Sequence, residues 1–194
     1  MLIVPLLGLS YCGNKKDKKS ESVSTAPNDL SKVTAAPLIS IHEAALNGKL
    51  TDVTALLKSG IRPDTVDQEG RTPLIYAAFN GNTEIIGVLI RNGADVNKAD
   101  KFGRTALMMA SSGPYPMAVK MLLDQKADPN LVDTEEHFTA LMYAAAEGQL
   151  ECVRILLLYK ADPVMKDKDG DDALSFARNN GHKAIVTLLE SLNK

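Results

Sequence analysis

The chain has 194 residues, a formal net charge of −2, no Trp, and 5% aromatic against 45% hydrophobic residues. A faintly acidic chain argues against a phosphate-backbone partner, and its two cysteines, Cys12 and Cys152, cannot build a disulfide framework. Aliphatic abundance with few aromatics suits thin helical layers filled with Leu, Ile, Val and Ala.

The first segment, residues 1–12, reads MLIVPLLGLSYC. This apolar run is too short to span a bilayer as a helix and resembles the end of a secretory signal. LSYC resembles a bacterial lipobox, which makes Cys12 the expected lipidation site and places the rest of the chain on a membrane tether in the cell envelope. Tyr11 is bulkier than the small residue such boxes carry, and no basic residue precedes the apolar run. A soluble periplasmic form and a cytoplasmic form therefore remain as alternatives. Residues 13–37 are polar, charged and Ser-rich, with four Lys between Gly13 and Ser22. They read as a flexible linker.

From residue 38 onward the sequence repeats itself. SIHEAALNGK, TPLIYAAFNGN, TALMMASSGP, TALMYAAAEGQ and DALSFARNNGH align on Ile41, Leu74, Leu107, Leu141 and Leu174, at spacings of 33, 33, 34 and 33. Each copy predicts two short helices and a turn. In the second copy Thr72 is an N-cap and Pro73 a first helical residue. Leu74, Ala77 and Ala78 share one helix face, and Asn80-Gly81 ends the helix. Ile85, Ile86, Val88, Leu89 and Ile90 then form a second helix, closed by Gly93. Single copies cannot bury their apolar faces, whereas stacked copies share a continuous core.

These copies resemble the ankyrin repeat, D-x-x-G-x-T-P-L-H-x-A-A-x-x-G followed by an apolar helix and G-A-D-V-N; DQEGRTPLIYAAFNGN and NGADVN in the second copy carry the resemblance most fully. It implies an all-α ankyrin-repeat solenoid over residues 38–194, with five stacked helix-turn-helix repeats (38–70, 71–103, 104–137, 138–170 and 171–194) joined by β-turn fingers. The departures are specific. Ile75, Met108, Met142 and Ser175 replace the helix His that only His42 keeps, and are expected to pack rather than hydrogen-bond. Lys126 and Lys160 replace a turn Gly. The fourth copy has an extra turn residue in DTEEHFT, where Phe138 is expected to fill the place of the missing Gly.

The search for chemistry returns little. His42, His137 and His182 lie in different copies and offer no convergent metal site. No G-x-S-x-G elbow, phosphate loop or dinucleotide fingerprint is present. Asp67, Asp100, Asp133 and Asp167 recur at one position before each turn, where a carboxylate accepts from nearby backbone N–H groups. Cys152 takes an apolar second-helix position shared with Ile85 and Ile185 and is expected to be buried. No cofactor and no catalysis are expected.

What the resemblance implies is a surface. Ankyrin proteins bind partners along turn tips and the concave side of the first helices. Here the turn-tip positions fall at Val66, Gln68, Glu69 and Arg71, at Lys101, Phe102 and Arg104, at Glu135, Glu136, His137 and Phe138, and at Lys166, Lys168, Asp169 and Asp171. The concave positions include Leu46, Asn47, Phe79, Asn80, Ser112, Ala146, Glu147, Asn179 and Asn180. Phe79 and Phe102 are large apolar residues expected to face solvent; with Leu46 and Asn80 they define a candidate patch for a protein partner, flanked by Arg71 and Arg104 as matches for a carboxylate. Tyr115, on the opposite edge, is a lesser candidate. The chain is expected to be a monomeric interaction module. The alternative is a haem-delivery accessory to a catalase-type enzyme, a role proposed for some small bacterial ankyrin proteins. Tyr76, Tyr143, Tyr115 or a His would be its ligands, although Tyr76 and Tyr143 are expected to point into the stack.

Overall fold

The computed structural model describes residues 39–192. Within them lie ten helices and no strand: α1 (Ile41–Leu46), α2 (Leu50–Lys58), α3 (Pro73–Phe79), α4 (Thr83–Arg91), α5 (Ala106–Ser111), α6 (Pro116–Asp124), α7 (Ala140–Ala146), α8 (Leu150–Leu158), α9 (Ala173–Asn179) and α10 (Lys183–Ser191). The odd-numbered helices pack on one another in chain order and form an inner row; the even-numbered helices form an outer row behind them.

The start of each inner helix is written in its cap. Ser40, Thr72, Thr105, Thr139 and Asp172 each accept from the backbone N–H three residues on, at 3.1, 3.2, 3.4, 3.2 and 2.9 Å. Met108 and Met142 do more than pack: each sulfur also accepts from its cap residue's N–H, at 3.5 and 3.4 Å. A weak sulfur acceptor thus takes the reciprocal place that Glu or Gln holds in a capping box. Ser175 is also hydrogen-bonded, its hydroxyl donating to Asp172 at 3.0 Å.

The core is a ladder of equivalent positions. Ile41, Leu74, Leu107 and Leu141 are buried in the inner row, and Val53, Ile86, Val119 and Val153 in the outer row. Ala44 and Ala45, Ala77 and Ala78, and Ala144 and Ala145 are fully buried between inner helices, where a larger side chain would push the layers apart. Cys152 is buried with them, and its burial raises the thiol pKa, so it is a packing residue.

Side chains at the start of α4, α6 and α10 staple their layers to the one before. Asn82 donates to the Ala45 carbonyl at 3.1 Å, and His182 meets the Ala146 carbonyl at 3.0 Å. Tyr115 holds the same place in the third layer, its ring against Gly81 and Gly113. It is a structural residue rather than an exposed candidate. On the far edge, Asn97 and Asn130 bridge to the next layer: their amides donate to the carbonyls of Lys126 and Lys160, both at 3.3 Å, and their oxygens accept from Asp128 and Asp162, both at 2.8 Å. Lys126 and Lys160 have φ of 70° and 66°, as residues standing in for Gly must.

Candidate functional site

The fingers between layers begin from one carboxylate each. Asp67 accepts from the Glu69 and Arg71 backbone N–H groups at 2.8 and 2.9 Å, Asp100 from Phe102 and Arg104 at 2.9 and 3.0 Å, and Asp167 from Asp169 and Asp171 at 3.0 and 2.7 Å. Asp133 accepts from Glu136 and His137 at 2.8 and 3.0 Å; with the inserted residue the first donor stands three positions on instead of two, while the second keeps its place four positions on. Consecutive fingers are then joined by backbone bonds: Lys101 N–H to the Glu69 carbonyl at 3.0 Å, Thr134 to Phe102 at 2.9 Å and Lys168 to Glu136 at 3.0 Å. The fingers are therefore one hydrogen-bonded row, not four independent loops.

His137, not Phe138, takes the left-handed position of the missing Gly, with φ of 63°. His enters that region more readily than a bulky aromatic does. Phe138 packs instead, edge-on to Tyr143 and Phe176 with ring centroids 5.7 and 5.0 Å away.

The two arginines do not stand free at the rim. Arg104 lays Nε and Nη2 on one oxygen of Asp100, at 2.9 and 2.8 Å, and Arg71 places Nε 3.9 Å from the same oxygen. The Arg104 side chain is 13% exposed, that of Arg71 15%, and that of Asp100 only 1%. Arg71 also donates to the Tyr76 hydroxyl at 3.4 Å. A carboxylate of the chain itself engages both guanidinium groups, so they are not the free charges that the sequence suggests. Phe102 is half-buried rather than solvent-facing, with the Arg104 guanidinium 4.5 Å from its ring centroid. Phe79 is likewise half-buried, at the end of α3. Leu46, half-buried at the end of α1, holds the equivalent place one layer earlier. Asn80 is exposed, but its amide donates to the Leu46 carbonyl at 2.7 Å and so ties α3 to α1. Cys12 lies outside the described residues.

The tyrosines proposed as haem ligands point at the fingers, not into the stack. Tyr76 donates to Asp67 at 2.7 Å and Tyr143 to Asp133 at 3.0 Å. Burial, then the adjacent Asp133, pushes the Tyr143 phenol pKa far upward, so the oxygen stays protonated. Burial works against the Asp67 carboxylate, but the hydrogen bonds from Tyr76, Arg71 and Glu69 outweigh it and hold its pKa below the ordinary value. His42, the one helix His kept from the family pattern, meets the Thr65 carbonyl at 2.9 Å and the edge of Tyr76. The Tyr–Asp bonds escaped sequence reading. Their signal is a Tyr in the inner helix nine or ten residues after the finger Asp.

What remains open on the inner face is a rim of exposed polar tips, Lys101, Glu135, Glu136, His137 and Glu147, around the half-buried apolar residues Phe79, Phe102 and Leu46. Such a face can recognise a surface.

A family model described as ankyrin repeats matches residues 41–133 and 113–193. Ankyrin repeat family A protein 2 from Mus musculus, from Bos taurus and from Homo sapiens is each 48% identical over 48 residues. That segment is 25% of this chain and 15% of each of those relatives, so the likeness covers repeats and leaves most of the relatives' length unmatched.

Proposed function

The chain belongs to the ankyrin-repeat family, and from that footing we propose that it is a non-catalytic protein-interaction module whose inner face and finger tips bind a protein partner while a lipid on Cys12 tethers it in a bacterial cell envelope. Ankyrin repeats point to protein–protein interaction in general. The observation that carries the binding half is the hydrogen-bonded finger row, with inter-finger bonds of 2.9–3.0 Å. A surface held in place before contact loses little entropy on binding. Selectivity then rests on the exposed rim, and affinity on Phe79 and Phe102.

Binding is tested by photo-crosslinking from Lys101, an exposed tip beside Phe102. The wild-type chain should trap a discrete protein adduct in its native cells. In the doubly substituted Phe79→Ala, Phe102→Ala chain, the yield should fall about tenfold with the helical circular dichroism unchanged. Equal adduct yield from the folded double variant removes the apolar patch from the binding site.

The tether rests on LSYC and on the polar stretch that follows it. No described helix is long and apolar enough to cross a membrane. Mass spectrometry of the N-terminal peptide from native cells should find it beginning at a diacylated or triacylated Cys12. An unmodified peptide that runs through Cys12 sinks the tether and returns the search for partners to soluble compartments.

A further inference from the structure

The outer row has one position that breaks its own pattern. Thr54, Lys120, Arg154 and Thr187 occupy the middle of α2, α6, α8 and α10, and the same place in α4 is Gly87. Gly inside a helix is destabilising relative to Ala, and this one has no positive φ to account for it. Its missing side chain opens a groove of about 350 Å³, floored by Gly87, Val88, Leu50 and Met121. Glu84 and Arg91 line its two ends, both exposed and neither in an ion pair with another described residue. Two flexible side-chain ends border the gap: a Cβ added at Gly87 would lie 3.2 Å from Arg91 Nη1 and 3.8 Å from Met121 Sδ, and both can move aside.

These four positions on α4 are self-complementary. Glu84 and Arg91 are equidistant from the midpoint between Gly87 and Val88. An antiparallel copy of the helix, related by a two-fold axis through that midpoint, sets Glu84 against Arg91 twice and Gly87 against Val88 twice. Two-fold interfaces demand this property of a patch. A Gly at the crossing lets two helices approach more closely than any other residue does. The macrodipole accounts separately for an acidic residue in the first turn and a basic one in the last. It gives no reason for a Gly between them.

We propose that the outer face centred on α4 is a self-association surface, on which a second copy of the chain packs its own α4 antiparallel. This replaces the monomer expected from the sequence, and it leaves the inner face free for another protein. One helix face and its margins are small beside the roughly 1,200–2,000 Å² of a stable interface, so the association is weak and concentration-dependent.

Sedimentation equilibrium of the full, unlipidated chain over a concentration series tests it. Wild-type chain should show a reversible monomer–dimer equilibrium. Glu84→Arg and Arg91→Glu should each weaken it by about tenfold or more, because each places like charges together at both ends. The doubly swapped chain, E84R with R91E, should recover the wild-type constant within about threefold. An equimolar mixture of the two single variants should also associate, since every Arg then faces a Glu. Both substitutions are exposed, and circular dichroism verifies that the fold is kept. A wild-type chain that stays monomeric across the series overturns the proposal, and so does a dimer indifferent to both reversals or a swap that restores nothing.

Discussion

Replacing Asp100 with alanine is expected to cost about 3–5 kcal/mol, because it strips the acceptor from a buried charge cluster and leaves the donors behind. One carboxylate oxygen takes the Phe102 and Arg104 backbone N–H groups, and the other takes two guanidinium N–H groups of Arg104 with Arg71 close by. The carboxylate is 1% exposed, so water cannot reach the vacated place without opening the finger. Asp100→Asn separates the backbone share from the guanidinium share. It keeps one oxygen for the two backbone donors but turns an amide NH2, itself a donor, toward the Arg104 guanidinium, so it removes the acceptor together with the charge and its loss should lie just below that of the alanine variant. Urea unfolding of the three chains gives the ordering. Hydrogen exchange gives the location, with the Phe102 and Arg104 amides expected to speed up first. A loss below about 1 kcal/mol for Asp100→Ala would mean that solvent already serves these arginines. They would then be available to a partner after all.

That experiment also marks the boundary of what the sequence disclosed. The repeat, its two-helix layers and its caps were legible because each rests on local spacing. Thr72, Pro73 and Gly81 act within a few residues of themselves. The finger carboxylates were legible for the same reason, since Asp67 bonds to residues two and four positions on. Contacts between layers were not legible. Arg71 lies near Asp100, 29 residues away, and nothing in either stretch states that the two fingers stand side by side at charge-pairing distance. The arginines therefore looked free when read one repeat at a time. Phe102 looked exposed although its cover, Arg104, is only two residues further on, because the spacing does not say that Asp100 fixes the guanidinium where it lies over the ring. The inserted residue in the fourth finger left two candidates for one left-handed position, and conformational tolerance decided for His137 over Phe138. The caps of Met108 and Met142 were missed because the hydrophobic pattern already gave those side chains a reason to be buried. Gly87 shows the converse. Its anomaly is plain in the alignment of copies, but only the structure shows that the gap joins Glu84 to Arg91 along one groove.

Gly81→Ala is expected to cost about 2–4 kcal/mol, and the cost has two separable parts. The backbone part follows from φ of 65°, where any L side chain loses about 1 kcal/mol. The packing part follows from Tyr115. A Cβ on Gly81 would lie 2.2 Å from the ring's Cδ1. On another side the ring meets Gly113, where an added Cβ would lie 2.4 Å from Cε2. Retreat is therefore limited, and the ring is also the side chain that begins α6. A double-mutant cycle with Tyr115→Ala separates the parts. Removing the ring should cost stability by itself, because its contacts with the second layer disappear. In that background, however, Gly81→Ala should cost only the backbone share of about 1 kcal/mol. The difference measures how tightly the second and third layers are stapled at this point. Strictly additive costs would show that the ring swings clear of the new methyl, and that the whole loss in Gly81→Ala comes from the backbone.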